Sequence, residues 1–328
     1  MNLIVTGGMG FIGSNFIRMS LTKYSDQKIV NVDNLSYGSN PKNLQDLEAA
    51  NYRFLERDLS NLSPSDCTDA QAIVNFAAET HVDRSISSPK TFMHSNAVGV
   101  LDLLELCRVR DMNYVQVSTD EVYGSSQGQP FSETDCLNPS SPYSATKAAA
   151  DLLVESYVRT YGLRGMITRS TNNYGPFQFP EKYIPKTIVR ALNNLPIPIY
   201  GTGAQVRDWL YVGDNCEAID LVLRKGRPGE VYNIAGGNQV SNQEVALKVL
   251  ERLGRPESLL RHVEDRPGHD FRYYLNASKL ERALAWKPKT SFVSGLKATV
   301  EWYLKNEDWW QPFATDKILS ESPWKENW

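Results

Sequence analysis

The chain has 328 residues, 41% of them hydrophobic and 22% charged, with a net charge of −3, enough for one large core and a smaller second lobe. Charges of both signs are interspersed, which excludes broad attraction to nucleic acid or an anionic membrane, and no apolar run is long enough to span a bilayer. Cysteines 67, 107, 136 and 216 are scattered, and histidines 81, 94, 262 and 269 lack ligand spacing, so neither a disulfide scaffold nor a metal site is expected and a reducing cytoplasm is the expected home.

Asn2 to Thr6 predicts a buried strand, which leaves no room for a signal peptide ahead of it. It runs into glycines at 7, 10 and 13 and then a helical pattern from Ser14 to about Thr22. Strand, glycine turn and helix in that order is the context a dinucleotide fingerprint requires. Gly7 would allow the tight turn, Gly10 a close backbone approach to a pyrophosphate, and Gly13 close packing of helix on strand. Free N–H groups and a partial positive charge at the helix start favour phosphate. Gln27 to Asp33 predicts a second strand, with Ile29, Val30 and Val32 apolar, ending in a carboxylate twenty positions after Gly13. Such an acid accepts hydrogen bonds from ribose hydroxyls and would repel a 2′-phosphate, so the expected cofactor is NAD rather than NADP.

Ala72 to Ala78 is a near-continuous apolar run, as in a parallel strand covered on both faces. Val98 to Arg108 predicts a helix with Leu101, Leu104 and Cys107 on one face. Tyr114 to Ser118 predicts a strand, Tyr143 to Tyr161 a helix and Gly165 to Arg169 a further strand. The alternation predicts an α/β fold with a doubly wound parallel sheet. Ligands of such sheets bind beyond the carboxyl ends of the strands, where Thr119, Asp120 and Glu121 fall.

Tyr143 and Lys147, four apart on a helix, share a face. An ammonium beside a phenol favours the phenolate and would lower the tyrosine pKa toward that of a working base. Such a base can take a hydroxyl proton while hydride leaves the same carbon for NAD. Asp120 and Glu121 add what simple alcohol oxidation does not need. Once C4 of a hexose is a ketone, the proton on C5 is acidic. A carboxylate can remove it while a carboxylic acid protonates the departing C6 hydroxyl, provided their surroundings push the two pKa values apart. The pattern points to loss of water driven by a temporary oxidation.

Beyond Asn172 the pattern loosens. Residues 173–180 read as irregular, followed by a helix from about Ile184 to Asn194 and an apolar stretch from Ile197 to Gly201. Gln205 to Val212 reads as a short connection back toward the sheet. The helix from Asn215 to Arg224 and the strand from Glu230 to Asn233 fit the first lobe. The expected division is a NAD-binding lobe of residues 1–172 plus about 205–233, a substrate lobe of about 173–204 plus 234–313, and a polar, tryptophan-bearing tail, 314–328. A cleft between lobes is a usual place for a small-molecule site.

Several segments carry a resemblance: Ala77 to Ser85, Ser118 to Gly124, Asn172 to Pro176, Phe179 to Lys182, Gln205 to Trp209 and Asp265 to Asp270. Over nearly its whole length the chain resembles the extended short-chain dehydrogenases that act on nucleotide sugars, and within them the dTDP-glucose 4,6-dehydratase family. Thr80 stands where that family more often has serine. The resemblance implies Tyr143 as the base at O4, with Lys147 on the nicotinamide ribose, Thr119 near the sugar O4, Asp120 as the acid at the C6 hydroxyl and Glu121 as the base at C5. It implies that Gly7, Gly10, Phe11, Ile12, Gly13, Asp33, Asn34, Ser36, Asp58, Leu59, Ala77, Ala78, Ser95 and Asn173 line the NAD. For the nucleotide sugar it implies His81, Asn172, Lys182, Tyr183, Pro198, Tyr200, Arg207, Asn242, Arg266 and His269. Arg207 and Arg266 suit a diphosphate, whose oxygens a guanidinium binds in a fork. The family implies a homodimer joined through the helices after Pro89 and Tyr143; Leu152, Leu153 and Tyr157 suit that role or burial against the sheet. A nucleotide-sugar 4-epimerase would share the cofactor and the Tyr/Lys pair but needs no acid pair to expel O6, and a non-catalytic NAD sensor would need neither.

Overall fold

The computed structural model describes residues 1–47 and 49–326. In chain order, β1 (Leu3–Thr6) leads to α1 (Phe11–Lys23) and β2 (Ile29–Asp33), then to β3 (Tyr52–Glu56) and β4 (Ala72–Asn75). Next come α2 (Val82–Ser87), α3 (Pro89–Met93), α4 (Gly99–Arg110), β5 (Asn113–Thr119), α5 (Pro142–Tyr161) and β6 (Gly165–Ser170). Then follow β7 (Asn172–Tyr174), α6 (Tyr183–Leu192), β8 (Ile197–Tyr200), β9 (Val206–Tyr211), α7 (Val212–Lys225) and β10 (Val231–Ile234). After these lie β11 (Gln239–Ser241), α8 (Asn242–Leu253), β12 (Leu260–Val263), α9 (Ser278–Leu284), α10 (Phe292–Lys305) and α11 (Glu307–Trp310). Among the described residues no helix is long and apolar enough to cross a membrane.

The large sheet has the order β10-β6-β5-β4-β1-β2-β3, parallel throughout. Every residue of β1 and β4 is buried, which is why both read as unbroken apolar runs. One face packs on α1 and α7 through Phe16, Ile17, Ile219 and Val222. The other packs on α4 and α5 through Val100, Leu104, Cys107, Ala150 and Val154. Leu3 sits opposite Ile29 on one side and Ala72 on the other. From β1 the chain runs outward to β2 and β3, then returns to start β4 beside β1, so a crevice opens at the carboxyl ends of those two strands.

Three details differ from the sequence reading. The helix expected from Val98 starts at Gly99, after a π-helical turn at His94–Val98. Its buried stripe is Val100, Leu103, Leu104 and Cys107, while Leu101 is 38% exposed, because helical spacing puts 100, 103, 104 and 107 in one row. The 173–180 stretch is not wholly irregular, since Asn173 and Tyr174 belong to β7. Val206–Tyr211 does run into α7, which packs on the large sheet, but it is a strand and not a mere connection. It is the middle strand, β9, of a second sheet, parallel to β7 and antiparallel to β11. Its residues 207–210 are all buried, so it needs a ladder partner on each side to satisfy its backbone. A third pairing, β8 with β12, is parallel. Tyr174, Trp209, Ile188, Val249, Phe292 and Tyr303 form the core beside these smaller sheets.

Candidate active site

The crevice beyond β1 and β4 holds a cavity of ≈ 270 Å³. Gly7, Gly10, Phe11, Ile12 and Gly13 form its floor at the start of α1. Gly7 has φ +69°, and a Cβ there would lie 2.5 Å from the Ala77 nitrogen. A Cβ at Gly13 would lie 2.4 Å from the Gly7 carbonyl oxygen, so only bare backbone fits where strand, turn and helix meet. Asp33, Asn34 and Ser36 line the cavity after β2, Asp58 and Leu59 after β3, and Ala77 and Ala78 after β4; Ser95 and Asn173 complete the wall. The Asp33 carboxylate accepts from the Met9 and Leu35 N–H groups at 2.9 and 2.8 Å and from the Ser39 hydroxyl at 2.9 Å. Burial pushes its pKa up and these donors oppose the rise. Asn34 donates to Asp58 at 2.9 Å and ties the rim together. Ser118 Oγ and Asn173 Oδ1 are buried with no hydrogen-bond partner among the described residues. A glycine cradle at a helix start, a carboxylate at the end of β2 and unmatched polar atoms deeper in fit a dinucleotide of NAD type.

At the inner end, β5 delivers Thr119, whose side chain caps the short turn Asp120–Tyr123. The Thr119 hydroxyl accepts from the Glu121 N–H at 3.3 Å and donates to Asp120 Oδ1 at 3.2 Å. Asp120 is 2% exposed. Burial first, and the Glu121 carboxylate second, raise its pKa well above the usual range. Its Oδ2 is buried with no hydrogen-bond partner among the described residues. Burial also raises Glu121, but Arg266, Arg207 and Lys182 oppose that rise. The two acids thus sit in unequal surroundings: burial favours the neutral form of both, strongly for Asp120, while three cations work against that rise at Glu121.

Ser141 caps α5 and accepts from the Ser144 N–H at 3.1 Å, with Pro142 at the first helical position. This puts Tyr143 in the first turn and Lys147 one turn on; both are buried and line the cavity. Lys147 Nζ donates to the Val117 carbonyl at 2.7 Å, and burial lowers its pKa to about 8. The expected lowering of Tyr143 by Lys147 does not occur here. Burial raises the Tyr143 pKa, the Glu121 and Asp120 carboxylates add to it, and a hydrogen bond with Thr119 is the opposing influence. The lysine is anchored on the strand backbone, and the acid pair supplies the charges that raise Tyr143 further.

A second cavity of ≈ 180 Å³ adjoins the first, sharing Thr80, Glu121, Asn172, Glu181 and Lys182 as common wall. His81, Tyr183, Pro198, Tyr200, Arg207, Asn242, Arg266 and His269 line it as well. Arg266 is paired with Asp83 at 2.8 Å, and its buried Nε has no hydrogen-bond partner among the described residues. Arg207 is committed to three backbone carbonyls, of Val206 at 2.9 Å, Phe271 at 3.2 Å and Asp270 at 2.9 Å, and lies over the Tyr273 ring. Lys182 donates to the Thr80 carbonyl at 2.6 Å, and Tyr183 to that of Asn242 at 2.6 Å. His269 meets Asp265 at 2.6 Å, yet burial and the nearby arginines lower its pKa to about 4. His81 accepts from the Arg84 N–H at 3.1 Å, and burial holds it neutral. The structure thus gathers every residue expected of the site around these two cavities.

It adds Asp83, Lys186 and Tyr273, which sequence reasoning missed. Lys186 is one helical turn from Lys182, a spacing that could have flagged it. Tyr273 reaches the site only through space: its hydroxyl donates to Asp270 at 2.8 Å, with Glu121 Oε2 at 3.4 Å.

Residues 4–299 match the family model described as GDP-mannose 4,6 dehydratase. The chain is 49% identical to the low-salt glycan biosynthesis protein Agl12 of Haloferax volcanii, over 94% of this chain and 100% of that protein. It is 45% identical to a dTDP-glucose 4,6-dehydratase of Streptomyces niveus, over 98% of each. Its structure is similar to that of DesIV, a dTDP-glucose 4,6-dehydratase from Streptomyces venezuelae solved with NAD and TYD bound, with a TM-score of 0.92 and 43% identity over 95% of this chain and 99% of that one. With a glycine cradle, a Tyr/Lys pair and two unequal acids on one crevice, the chain belongs to the nucleotide-sugar 4,6-dehydratase family.

Proposed function

We propose that the protein converts dTDP-glucose to dTDP-4-keto-6-deoxyglucose, using NAD that it holds through the whole cycle. The observation that carries this reading is the pair of buried Asp120 and half-buried Glu121, set in unequal surroundings in the cavity that Tyr143 lines. NAD, when bound, supplies a hydride acceptor at C4 and returns the same hydride at C6. Tyr143 takes the O4 proton, with Thr119 hydrogen-bonded to it. Glu121, where Arg266 and Arg207 oppose the rise caused by burial, takes the C5 proton as its carboxylate. Asp120, held neutral by burial, gives its proton to the C6 hydroxyl, which leaves as water. Lys147 orients the nicotinamide ribose from its anchor on Val117. Arg266, with its unpartnered Nε, and Arg207 face the diphosphate. An epimerase has no use for a neutral acid placed to expel a hydroxyl. The product is a 6-deoxy sugar nucleotide, a precursor for deoxysugar biosynthesis of the rhamnose type.

The test is mass spectrometry of dTDP-glucose incubated with the protein and no added NAD. Loss of one water, with one solvent deuterium at C5 in heavy water, is the expected result. An unchanged mass with inverted C4 would overturn it. Replacing the pair as Asp120→Asn with Glu121→Gln should leave C4 oxidation intact and stop there, so absorbance of reduced cofactor accumulates on adding substrate while water loss falls by about 10²–10⁴. Normal turnover by that variant would remove both assigned roles.

The division into two lobes around this cleft, with 1–172 and the later α7 and β10 region holding NAD, is part of the same proposal. So is a homodimer. Met93, Val98, Leu101, Leu152 and Tyr161 are 51%, 44%, 38%, 56% and 55% exposed on α3, α4, α5 and the turn between, a row of large apolar side chains that a second copy would cover. Four free cysteines, three of them buried, support a reducing compartment, the cytoplasm.

A further inference from the structure

The last described residues pack behind residues that line the second cavity. Leu319 is 4% exposed and joins the core of the smaller lobe. Arg190 of α6 donates to the Leu319 carbonyl and pairs with Glu321 at 3.1 Å. Lys186, one turn earlier, donates to the Ser320 carbonyl at 3.2 Å. The turn Pro323–Lys325 then packs against α2, the helix that carries Asp83. The Trp324 ring meets Tyr200 edge-on at 5.1 Å, and Tyr200 lies 6.1 Å from His269. Lys325 pairs with Glu264 at 2.5 Å and pins the segment beside Asp265 and Arg266.

Three parts of the cavity wall therefore have this segment behind them: Lys186, Tyr200 and the Asp83–Arg266 pair. Lys186 is a cavity-lining cation that the proposed chemistry leaves without a task. It is 7% exposed. Burial lowers its pKa to about 8, against the pull of Asp83 and Glu181. A buried amine with one donor fixed on a backbone carbonyl has two left for an anionic or carbonyl acceptor. Residues 319–326 also lie beyond the stretch that the family model covers, which ends at 299.

We infer that residues 319–326 form a fixed backing behind the wall of the nucleotide-sugar cavity and hold Lys186 and Tyr200 in position for the nucleoside diphosphate. Trp324 is a positioning residue: it acts through Tyr200. The inference rests on the proposed substrate, so the test measures binding separately from turnover. The full chain is compared with Trp324→Ala, Trp324→Phe and Lys186→Met. Four readouts are taken: dTDP affinity by calorimetry, KM and kcat for dTDP-glucose, retained NAD, and melting temperature. Trp324→Ala should weaken dTDP binding and raise KM by about 3–10-fold, the scale of one lost aromatic contact, with kcat and retained NAD within twofold. Trp324→Phe should restore most of that loss. Lys186→Met should weaken dTDP binding with NAD content unchanged. Wild-type binding with unchanged dTDP affinity in both Trp324→Ala and Lys186→Met, whatever their melting temperatures, overturns this inference alone. Failure of the wild type to bind dTDP overturns the substrate proposal and this inference with it.

Discussion

Burial governs protonation at residues 120 and 121 before any neighbouring charge does, and this makes Asp120 a stability determinant as well as an acid. Its folded pKa is raised, so the folded chain keeps a proton that the unfolded chain releases near the ordinary aspartate value of about 3.9. The contribution of the neutral acid is complete below that value and is lost as pH rises toward the folded pKa. Asp120→Asn should therefore melt with the wild type below about pH 4 and above it at neutral pH. Equal melting temperatures across that range would show that Asp120 ionises freely in the fold. Asp33, Tyr143 and Lys147 were legible in the sequence because residue type, spacing and strand context coincide there. The pairing of Asp83 with Arg266, 183 positions apart, was not, since only the fold brings those charges together. The raised Tyr143 was misread for the same reason: helical spacing shows a lysine on its face but not the carbonyl that occupies it.

At the scale of elements, the strands that could be read are those whose burial comes from both sides. β1 and β4 are near-continuous apolar runs with turn residues at their ends, and their pattern needs no partner to interpret. β7 and β11 are three residues each and largely polar, and β9 interrupts its apolar residues with Arg207 and Asp208; pairing with one another is what makes them strands. The turn between β1 and α1 gives a direct check. Gly7→Ala would place a non-glycine residue at φ +69° and a methyl against the Ala77 backbone. The backbone conformation alone costs on the order of 1–3 kcal/mol. The expected result is a lower melting temperature together with loss of NAD from the purified protein; full retention of NAD would show that the turn adapts.

For the whole molecule, the proposed homodimer would be joined through the exposed apolar side chains on α3, α4 and α5. Leu152→Glu places a charge among them, where a partner copy would have to bury it. Light scattering should give a dimer mass for the wild type and a monomer mass for the variant; identical masses would place any dimer elsewhere. The fold class and the site's location were legible because the β/α alternation and the strand ends are local features. The path of the tail was not, because Leu319, Glu321 and Trp324 gain meaning only against α6 and Tyr200.

β10 closes the large sheet by pairing Val231 with Ile167, after the chain has left that sheet to build β7, α6, β8 and β9. On the proposed division the two lobes are therefore interleaved rather than joined end to end. No single cut divides this chain into two pieces that each contain a whole lobe. During synthesis the edge of β6 stays open until the ribosome has released the segment through β10, and exposed sheet edges invite pairing with other chains. On that division, fragment complementation would need four pieces, and a gene fusion or circular permutation that respects the architecture has to open the chain at a surface loop within one lobe, not at a junction between them.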